Sequence, residues 1–481
     1  MRDMWNRCER TALAALVLTV AACGSDRGVP DNIAGGYSGG GVDGLTHYAC
    51  YRNPNPNPGG GSTVVLNAAK KFQTMQGFGA SMRLFDDPRV TNTLDPVTKR
   101  AVAIPTDLDQ RLMLDALWLD AGLTRVRYFP GDGGVEPVND NADPLSADTT
   151  KFDFSWNKGD DQLALTPGMS LRGVRTPFMS TQAMESWMTE SNPAEYAEWL
   201  MVMLRHWRDR GYELPYVSLK NEPGSAASGG VWSAAYLRDV TKLLGARMKT
   251  EGMKTKIVLT DDVNPREAYN RLQVILADAD ARQYVGAVAY HFGDRGGELE
   301  VKQLAEQYGL PVWVTSFSAT DPIDMATTMH ELITDDGASA LDYTWGFFGE
   351  QSSSQLIRVI APNGAYQRFS ARKQYYVMGQ FSRFVPPGAV RIEATAADPS
   401  LKALAFVYGA KLIVIVIYTG APYERTVDIE LGAGAPCVKR ATSVRTSDAE
   451  NWLEQPQYFT DIPRISTTMP ARSIITFVGQ E

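Results

Sequence analysis

Two polar side chains stand at the ends of apolar runs in the middle of the chain. Glu222 follows the run Leu214–Lys220 and Asn221, and Ser316 lies in the run Val312–Ser318. If these runs are strands of a parallel barrel, both side chains lie where the loops after the strands build an active site. A glutamic acid there can protonate the leaving oxygen of a glycosidic bond. Glu222 could instead cap a helix, but its place at a strand end favours the catalytic interpretation.

Eight short strand-like runs alternate with helical patterns between Gln73 and Phe348, which is typical of parallel strands joined by crossover helices. The eight predicted strands are Gln73–Ser81, Leu123–Pro130, Val174–Thr181, Leu214–Asn221, Thr255–Asp262, Val285–Gly293, Pro311–Ser318 and Ala340–Phe348. Eight strands of this kind predict an α/β fold closed into a (β/α)₈ barrel.

The chain divides into four predicted segments: 1–23, 24–62, 63–379 and 380–481. The third is the barrel, and its strand-like start at residues 62–72 could join the last segment. Beyond residue 380 one strand-like run follows another, which predicts a C-terminal side β-sandwich.

The N-terminal residues have the composition of an export signal. Three arginines precede the apolar run Thr11–Ala22, which is shorter than the ~20 residues that span a bilayer. The run ends in Val20-Ala-Ala-Cys23-Gly24, which resembles a bacterial lipobox with Cys23 as the lipidated residue, although an ordinary secretory signal would also fit. Residues 24–62 are rich in Gly, Pro and Asn and predict a tether. We expect an exported protein, lipid-anchored in a bacterial cell envelope on its periplasmic or outer side.

Charge and composition exclude several kinds of partner. A net charge of −8 with scattered Lys and Arg argues against a nucleic-acid surface. Four histidines and no Cys-x-x-Cys pair are too few ligands for a zinc site, so we expect neither a metal nor another cofactor. Cys50 and Cys437 could form a disulfide after export, or stay two free thiols.

Several stretches of the chain together resemble glycoside hydrolase family 30. They are Gln76–Ala80, Ser218–Pro223, Tyr290-His291, Ser382–Gly388 and Met469–Val478. The resemblance extends from Thr63 to the end. It implies a barrel with a side β-sandwich that cleaves β-linked glycans or glycosylceramides with retention. A glutamate on the fourth strand is then the acid/base, and a glutamate on the seventh strand is the nucleophile.

Carried over to this chain, the resemblance assigns the acid/base role to Glu222 and a sugar-binding role to its neighbour Asn221. Ser316 occupies the nucleophile position. The family also has a tyrosine just after the sixth-strand histidine, and His291-Phe292-Gly293 has none there. Retention requires two carboxyl groups about 5 Å apart, and a serine hydroxyl is too weakly acidic to replace one of them. The sequence therefore predicts that the usual double displacement is disabled.

Three alternatives stay open for the chemistry. Another acid at the site could act as a base on water, His291 could activate Ser316, or the site could bind glycans without cutting them. The candidate acids are Asp262, Asp294, Asp321 and Glu350.

Aromatic side chains are expected to bind the sugar rings. By resemblance, Phe178 takes the place of a tryptophan platform, and Trp345 ends the eighth strand where an aromatic floor is expected. Trp187 either belongs to the third-strand loop of the site or packs internally. Arg127 on the second strand points either to the site or into a buried ion pair. The expected partner is a β-linked oligosaccharide, polysaccharide or glycolipid.

Overall fold

The computed structural model describes most of the chain after residue 61. The described residues are 62–82, 85, 105–129, 134–155, 159–182, 184–228, 230–348, 354–362, 365–420, 422–432, 434–436, 438–459 and 464–480. The predicted signal peptide, lipidated Cys23 and tether lie outside this part, as do Cys50, Glu350 and Cys437.

The first strand, β1 (Thr63–Thr74), belongs to the side domain, and the next eight strands form a closed barrel. The barrel strands are β2 (Gly77–Met82), β3 (Arg125–Tyr128), β4 (Thr176–Ser180), β5 (Tyr216–Ser218), β6 (Lys256–Asp262), β7 (Val285–His291), β8 (Val312–Phe317) and β9 (Ala338–Tyr343). Each pairs in parallel with the next, and β2 pairs with β9. The predicted barrel fold is confirmed, and the end at which the strand C-termini meet is called the mouth below.

Helices cover the outside of the barrel. They are α1 (Asp107–Asp115), α2 (Gly159–Leu171), α3 (Pro193–Arg208), α4 (Ala234–Thr250), α5 (Pro265–Ala277), α6 (Ala279–Arg282), α7 (Glu298–Tyr308), α8 (Pro322–Thr334) and α9 (Lys373–Ser382). Ser233 and Asn264 start α4 and α5 by accepting hydrogen bonds from backbone N–H groups of the first turn. The apolar face of α4, with Val240 and Leu244, is fully buried. None of the described helices combines the length and apolar composition needed to cross a bilayer.

Two barrel strands carry an extra residue close to the mouth. In β6, Thr260 pairs with Ala289 and Asp262 with Tyr290, so Asp261 is left between two paired positions. A β-bulge of this kind redirects the side chains around it. Asp261 also has a left-handed backbone, with φ 59°.

The second bulge lies in β8. Val314 pairs with Leu341 and Phe317 with Tyr343, so three steps along β8 match two along β9. Val314 and Phe317 both belong to the hydrophobic layer around the barrel, whereas Trp313 lies in its interior cluster. Because side chains of a strand alternate, the extra residue lets the two residues between Val314 and Phe317 turn inward together. These two residues are Thr315 and Ser316.

The chain leaves the barrel earlier than the predicted strand Ala340–Phe348 implies. Barrel strand β9 ends at Tyr343, and β10 (Trp345–Phe348) joins a separate sheet with β11 (Gln355–Ile360) and β12 (Arg368–Ala371). Thr344 separates the two strands, and its backbone N–H is bonded to the carbonyl of Phe317 at 3.0 Å. Trp345 therefore belongs to this small sheet and not to the eighth barrel strand.

The side domain is a ten-stranded sheet that includes β1. Its other strands are β13 (Val390–Ala396), β14 (Leu401–Tyr408), β15 (Lys411–Tyr418), β16 (Arg425–Glu430), β17 (Arg440–Thr446), β18 (Leu453–Glu454), β19 (Tyr458–Phe459), β20 (Arg464–Met469) and β21 (Ser473–Gln480). Strand β15 is buried on both faces. Val414 and Val416 lie in the core of the side domain, whereas Ile413 and Ile415 belong to the barrel's hydrophobic core.

Candidate active site

Glu222 lies directly after β5, in a backbone conformation that few residues other than glycine adopt. Its φ is 51°, and its backbone N–H donates to the carbonyl of Asp261 at 2.9 Å. The preceding Asn221 donates its N–H to Thr181 at 2.7 Å. The end of β5 is therefore bonded to the ends of both neighbouring strands. Such uncommon conformations persist only where the surroundings enforce them, and they concentrate at functional sites.

The side chain of Glu222 forms a row with His291 and Asp261. His291 Nδ1 lies 2.9 Å from Glu222 Oε1, and His291 Nε2 lies 3.2 Å from Asp261 Oδ1. The ring is buried, and Asp261 is completely inaccessible. The row is therefore carboxylate, imidazole, carboxylate, with Glu222 at its exposed end, where 26% of the side chain remains accessible.

This row decides the protonation of all three groups. The hydrogen bond from His291 is the largest cause that lowers the pKa of Glu222 to about 2. Burial lowers the pKa of His291, but the bonds to Asp261 and Glu222 outweigh it and the net direction is upward. Burial likewise opposes the charge of Asp261, yet Arg127 and His291 hold its pKa well below the usual range. The resting site is therefore an imidazolium between two carboxylates.

Asp261 is the centre of a buried polar network that the sequence did not indicate. Its two oxygens accept hydrogen bonds from Arg127 Nη2 (2.6 Å), Ser180 Oγ (2.7 Å), Ser218 Oγ (2.8 Å), His291 Nε2 (3.2 Å) and Thr315 Oγ1 (2.5 Å). The donors come from five different barrel strands, so one carboxylate joins six of the eight strands. With both oxygens fully used and no accessible surface, Asp261 cannot attack a substrate.

Arg127 forms a buried ion pair, which is one of the two orientations that the sequence left open. Besides Asp261, its Nη2 donates to the side-chain oxygen of Asn221 at 2.6 Å. Only 2% of Arg127 is accessible. It therefore orients the residue next to Glu222 from below rather than lining the mouth.

Among the described residues, Ser316 has a hydroxyl group and no carboxylate as its hydrogen-bond partner. Its Oγ lies 3.1 Å from Oγ1 of Thr344, at the adjoining ends of β8 and β9. Ser316 pairs with His291 in the β7–β8 register. Both ring nitrogens of His291 are bonded to carboxylates, so His291 does not activate Ser316 in this arrangement.

The candidate replacement acids hold the structure together at other places. Asp262 is buried, bonded to Arg271 at 3.1 Å and to the N–H of Gly224 at 2.9 Å, and so fixes the loop after Glu222. Asp321 accepts from the first N–H groups of α8 and pairs with Arg472 at 2.5 Å. Both are committed to these bonds.

Asp294 is the third described candidate, and it lies exposed on the loop after β7. Among the described residues, neither Asp294 nor Asp262 nor Asp321 is hydrogen-bonded to the Ser316 side chain. Among the described residues, no group of three or more His, Cys, Asp or Glu side chains is arranged to hold a metal ion.

The aromatic side chains differ from expectation in one clear case. Phe178 is fully buried and packs in the barrel interior, with its ring centroid 5.8 Å from that of Trp313. It precedes the end of β4 by two residues, so its ring lies below the mouth and cannot serve as a sugar platform. Trp345 is half-buried, with its ring centroid 5.7 Å from that of Phe129. Trp187 is half-buried too, and its Nε1 donates to the carbonyl of Glu136 at 2.7 Å.

Lys220 is a second buried group that the sequence did not single out. It has no accessible surface, and its ammonium group donates to the carbonyls of Gln182 (3.0 Å), Asn221 (2.9 Å) and Ser228. The hydroxyl of Ser228 donates in turn to Glu222 Oε2. Burial lowers the pKa of Lys220 to about 8. Lys220 thus ties together the loops that flank Glu222.

Comparison with known proteins agrees with this architecture. No family model matches the chain. A Caenorhabditis elegans protein named "Putative glucosylceramidase 1" is 23% identical over 409 residues, which are 75% of this chain and 76% of that protein. The GH30 endoxylanase of Clostridium papyrosolvens superposes with a TM-score of 0.68 at 20% identity, over 87% of this chain and 100% of the xylanase. GH30 xylanase C of Talaromyces cellulolyticus superposes with a TM-score of 0.70 at 18% identity, over 87% of this chain and 100% of the xylanase. The resemblance to glycoside hydrolase family 30 is confirmed, and the solved structures confirm the fold.

Proposed function

We propose that this protein is a glycoside hydrolase of the family 30 type that acts on β-linked glycans or glycosides, with Glu222 as its acid/base. The observation that carries the proposal is the position of Glu222. It is the partly exposed end of the row with His291 and Asp261, at the mouth of a (β/α)₈ barrel. The N-terminal lipid anchor at Cys23 and the cell-envelope location belong to the same proposal.

The similar proteins support the substrate class. The relative from Caenorhabditis elegans is named a glucosylceramidase, and the two solved structures are xylanases. Both names describe enzymes that act on glycosides. We extend only this general class to the chain, since the loops that choose among glycans differ among such proteins.

The protonation of Glu222 needs an explanation, because a general acid must carry a proton. In a site with two carboxyl groups, the negative charge of one raises the pKa of the other. Ser316 carries no charge, so the residue at the nucleophile position does not oppose ionisation of Glu222. The loss of the nucleophile therefore also weakens the acid. The proton lies instead on His291, 2.9 Å from Glu222 Oε1.

We assign proton transfer to Glu222 and His291 as a pair. The pair holds one proton more than a carboxylate and a neutral imidazole would, and Glu222 is the member that reaches the mouth. When a leaving oxygen approaches Glu222, the proton can pass from Nδ1 to the carboxylate and on to that oxygen. Asp261 keeps the imidazolium oriented and charged until this happens.

A second function is favoured by a specific observation. Ser316 offers a hydroxyl and Glu222 is ionised, so the site can also bind a glycan without cleaving it. Trp345 and Trp187 are then the remaining aromatic candidates for stacking on a sugar ring.

Replacement of Glu222 by Gln separates the two functions. We expect slow cleavage of a β-glycan panel by the unchanged protein, and a further loss of about 10²–10⁴-fold in Glu222→Gln, the range for general acid–base catalysis. Glycan affinity, measured by calorimetry, should stay close to the original. The matched control is Glu213→Gln, an exposed residue before β5 at the opposite end of the barrel.

Two outcomes would contradict the proposal. Activity that persists in full in Glu222→Gln would remove the acid/base assignment. Oligosaccharide binding without turnover in any variant would favour the glycan-binding function.

A further inference from the structure

We propose that a small carboxylate anion from solution, such as formate, binds beside Ser316 and attacks the sugar in place of the absent protein nucleophile. This inference rests on the proposed function. In it the carboxylate anion is a co-substrate, and its binding site lies beside Ser316.

The backbone supports this position as a place that faces the site. The bulge in β8 turns Thr315 and Ser316 inward together, and the Thr315 hydroxyl reaches Asp261 at 2.5 Å. Ser316 then lies at the mouth, opposite His291 in the register, and its carbonyl accepts from Phe292 N–H at 2.8 Å. The serine Oγ takes the place of the glutamate Cγ, so a serine side chain lacks the three heavy atoms of the carboxylate group. Formate consists of the same three heavy atoms.

One hydroxyl group is available to hold an anion there. The side-chain oxygens of Ser316 and Thr344 lie 3.1 Å apart. The Thr344 hydroxyl donates its proton to the carbonyl of Phe317 at 2.9 Å, whereas the Ser316 hydroxyl can rotate and donate its hydrogen bond to a carboxylate oxygen. Hydrogen bonds to an ionised acceptor are shorter and stronger than those between neutral groups.

The charges of the site also favour an added anion. Arg127 and His291 are cations, and Asp261 and Glu222 are anions, so the row and its ion pair sum to zero. The buried ammonium group of Lys220 adds a positive charge at neutral pH, because its pKa of about 8 lies above that pH. A glutamate at position 316 would have brought one negative charge. A bound carboxylate restores that charge without repulsion from a net negative site.

The chemical step balances with the groups present. An oxygen of the carboxylate forms a bond to the anomeric carbon while the bond from that carbon to the leaving oxygen breaks, and the leaving oxygen keeps the bonding electrons. That oxygen takes the proton held by Glu222 and His291, and the pair recovers a proton from solvent. A β-glycoside yields an α-glycosyl ester. Water then hydrolyses the ester to the free sugar and releases the carboxylate.

The test measures cleavage of 2,4-dinitrophenyl and p-nitrophenyl β-glycosides by the full chain, with sodium formate compared with sodium chloride at equal ionic strength. We expect formate to raise the rate at least tenfold in a saturable manner, with an α-glycosyl ester or α-sugar as the first product by proton NMR. In Ser316→Glu the rate should not depend on formate, and the product should retain the β configuration. Ser316→Ala should require several-fold more formate for half saturation, because it removes the hydroxyl that donates to the anion.

Ser318→Glu is the matched control. It adds the same acid two residues further on, at an exposed position, and should keep the formate dependence of the unchanged protein. If the unchanged protein responds equally to formate and chloride while Ser316→Glu cleaves with retention, the inference fails and the proposed function stands. If neither protein cleaves any glycoside of the panel in either salt, the proposed function fails and this inference falls with it.

Discussion

Two carboxylates of the candidate site belong to residues with left-handed backbones. Glu222 (φ 51°) and Asp261 (φ 59°) are bonded to each other through the backbone and to opposite nitrogens of His291 through their side chains. Each conformation costs about 1–3 kcal/mol for a residue other than glycine. The network around Asp261 compensates this cost, because its donors come from several strands that the barrel already holds in place.

Asp261→Asn tests the role of that carboxylate. The substitution leaves the buried guanidinium of Arg127 without its counter-charge, and breaking a buried ion pair in this way costs about 3–5 kcal/mol. We expect a comparable fall in the free energy of unfolding, measured with urea. The pKa of His291, followed by NMR, should fall because one of the two groups that raise it has lost its charge.

Asp342→Asn is a matched control within the same barrel. Asp342 forms a bidentate, fully buried pair with Arg125 at 2.9 Å, and it does not contact His291. The Asp342→Asn variant should have a lower free energy of unfolding and an unchanged pKa of His291. An unchanged pKa of His291 in Asp261→Asn would show that Asp261 does not control the protonation of the site.

At the scale of elements, the loop after β3 packs on α3 through buried acids. Glu136 in this loop, Glu185 in the loop after β4 and Glu198 in α3 are each less than 5% accessible. Burial raises the pKa of Glu136 to about 8 and that of Glu198 to about 7, and nearby carboxylates add to both shifts. Glu198 Oε1 has no hydrogen-bond partner among the described residues. These two acids hold protons that they would lose in the unfolded chain at neutral pH.

The sign of the pH effect follows from this difference. The unfolded chain loses these protons near the ordinary value of 4.5, whereas the folded chain keeps them to about 7 or 8. Below pH 4.5 both acids are protonated in the folded and in the unfolded chain, so they do not change the free energy of unfolding. As the pH rises from 4.5 to 8, the unfolded chain loses these protons more readily than the folded chain, and the free energy of unfolding falls. Folding stability should decline over this range as far as these two groups are concerned.

Glu198→Gln should remove part of that decline. At pH 8 the variant should be more stable than the unchanged protein by about 1–3 kcal/mol, because one unit of pKa corresponds to about 1.4 kcal/mol. At pH 4.5 the two proteins should differ little. Urea unfolding at several pH values measures the difference, with the exposed Glu306→Gln in α7 as control. A stability difference that is the same at both pH values would contradict the assigned protonation.

At the scale of the whole molecule, Trp452 joins the side domain to the barrel helix α9. Its Nε1 donates to the carbonyl of Tyr376 at 2.7 Å, and its ring lies 4.8 Å from that of Tyr375 between centroids. Arg383 stacks on its other side, 4.3 Å from the ring centroid. Gln380 on the same helix is bonded to Thr476 of β21 in the side domain. The two parts therefore share one packed boundary.

Trp452→Ala should loosen this boundary. We expect a loss of about 2–4 kcal/mol, somewhat below the 3–5 kcal/mol of a fully buried tryptophan, because Trp452 is half-buried. Calorimetry should then show a lower melting temperature, while glycan affinity at the distant mouth stays unchanged. Tyr423→Ala, at a position 77% exposed, is the control. A melting temperature equal to that of the control would mean that the boundary does not depend on this contact.

The amino-acid sequence alone was sufficient for the barrel, its eight strands and the side β-domain. Strand periodicity and turn residues are local properties, and the chain expresses them clearly from Gln73 onward. It was also sufficient to mark Glu222 and Ser316 as candidate positions for the chemistry, since both lie at the ends of predicted strands within stretches that resemble the family.

Only the tertiary structure decided which acids face the site and how they are charged. Periodicity cannot choose between Asp261 and Asp262, because a bulge of one residue in β6 reverses which of them points inward. Phe178 was assigned to the wrong depth for a related reason: its height along β4 depends on where that strand ends relative to its neighbours. The charge of Glu222 depends on His291, which lies 69 residues away in the chain and meets it only when the barrel closes.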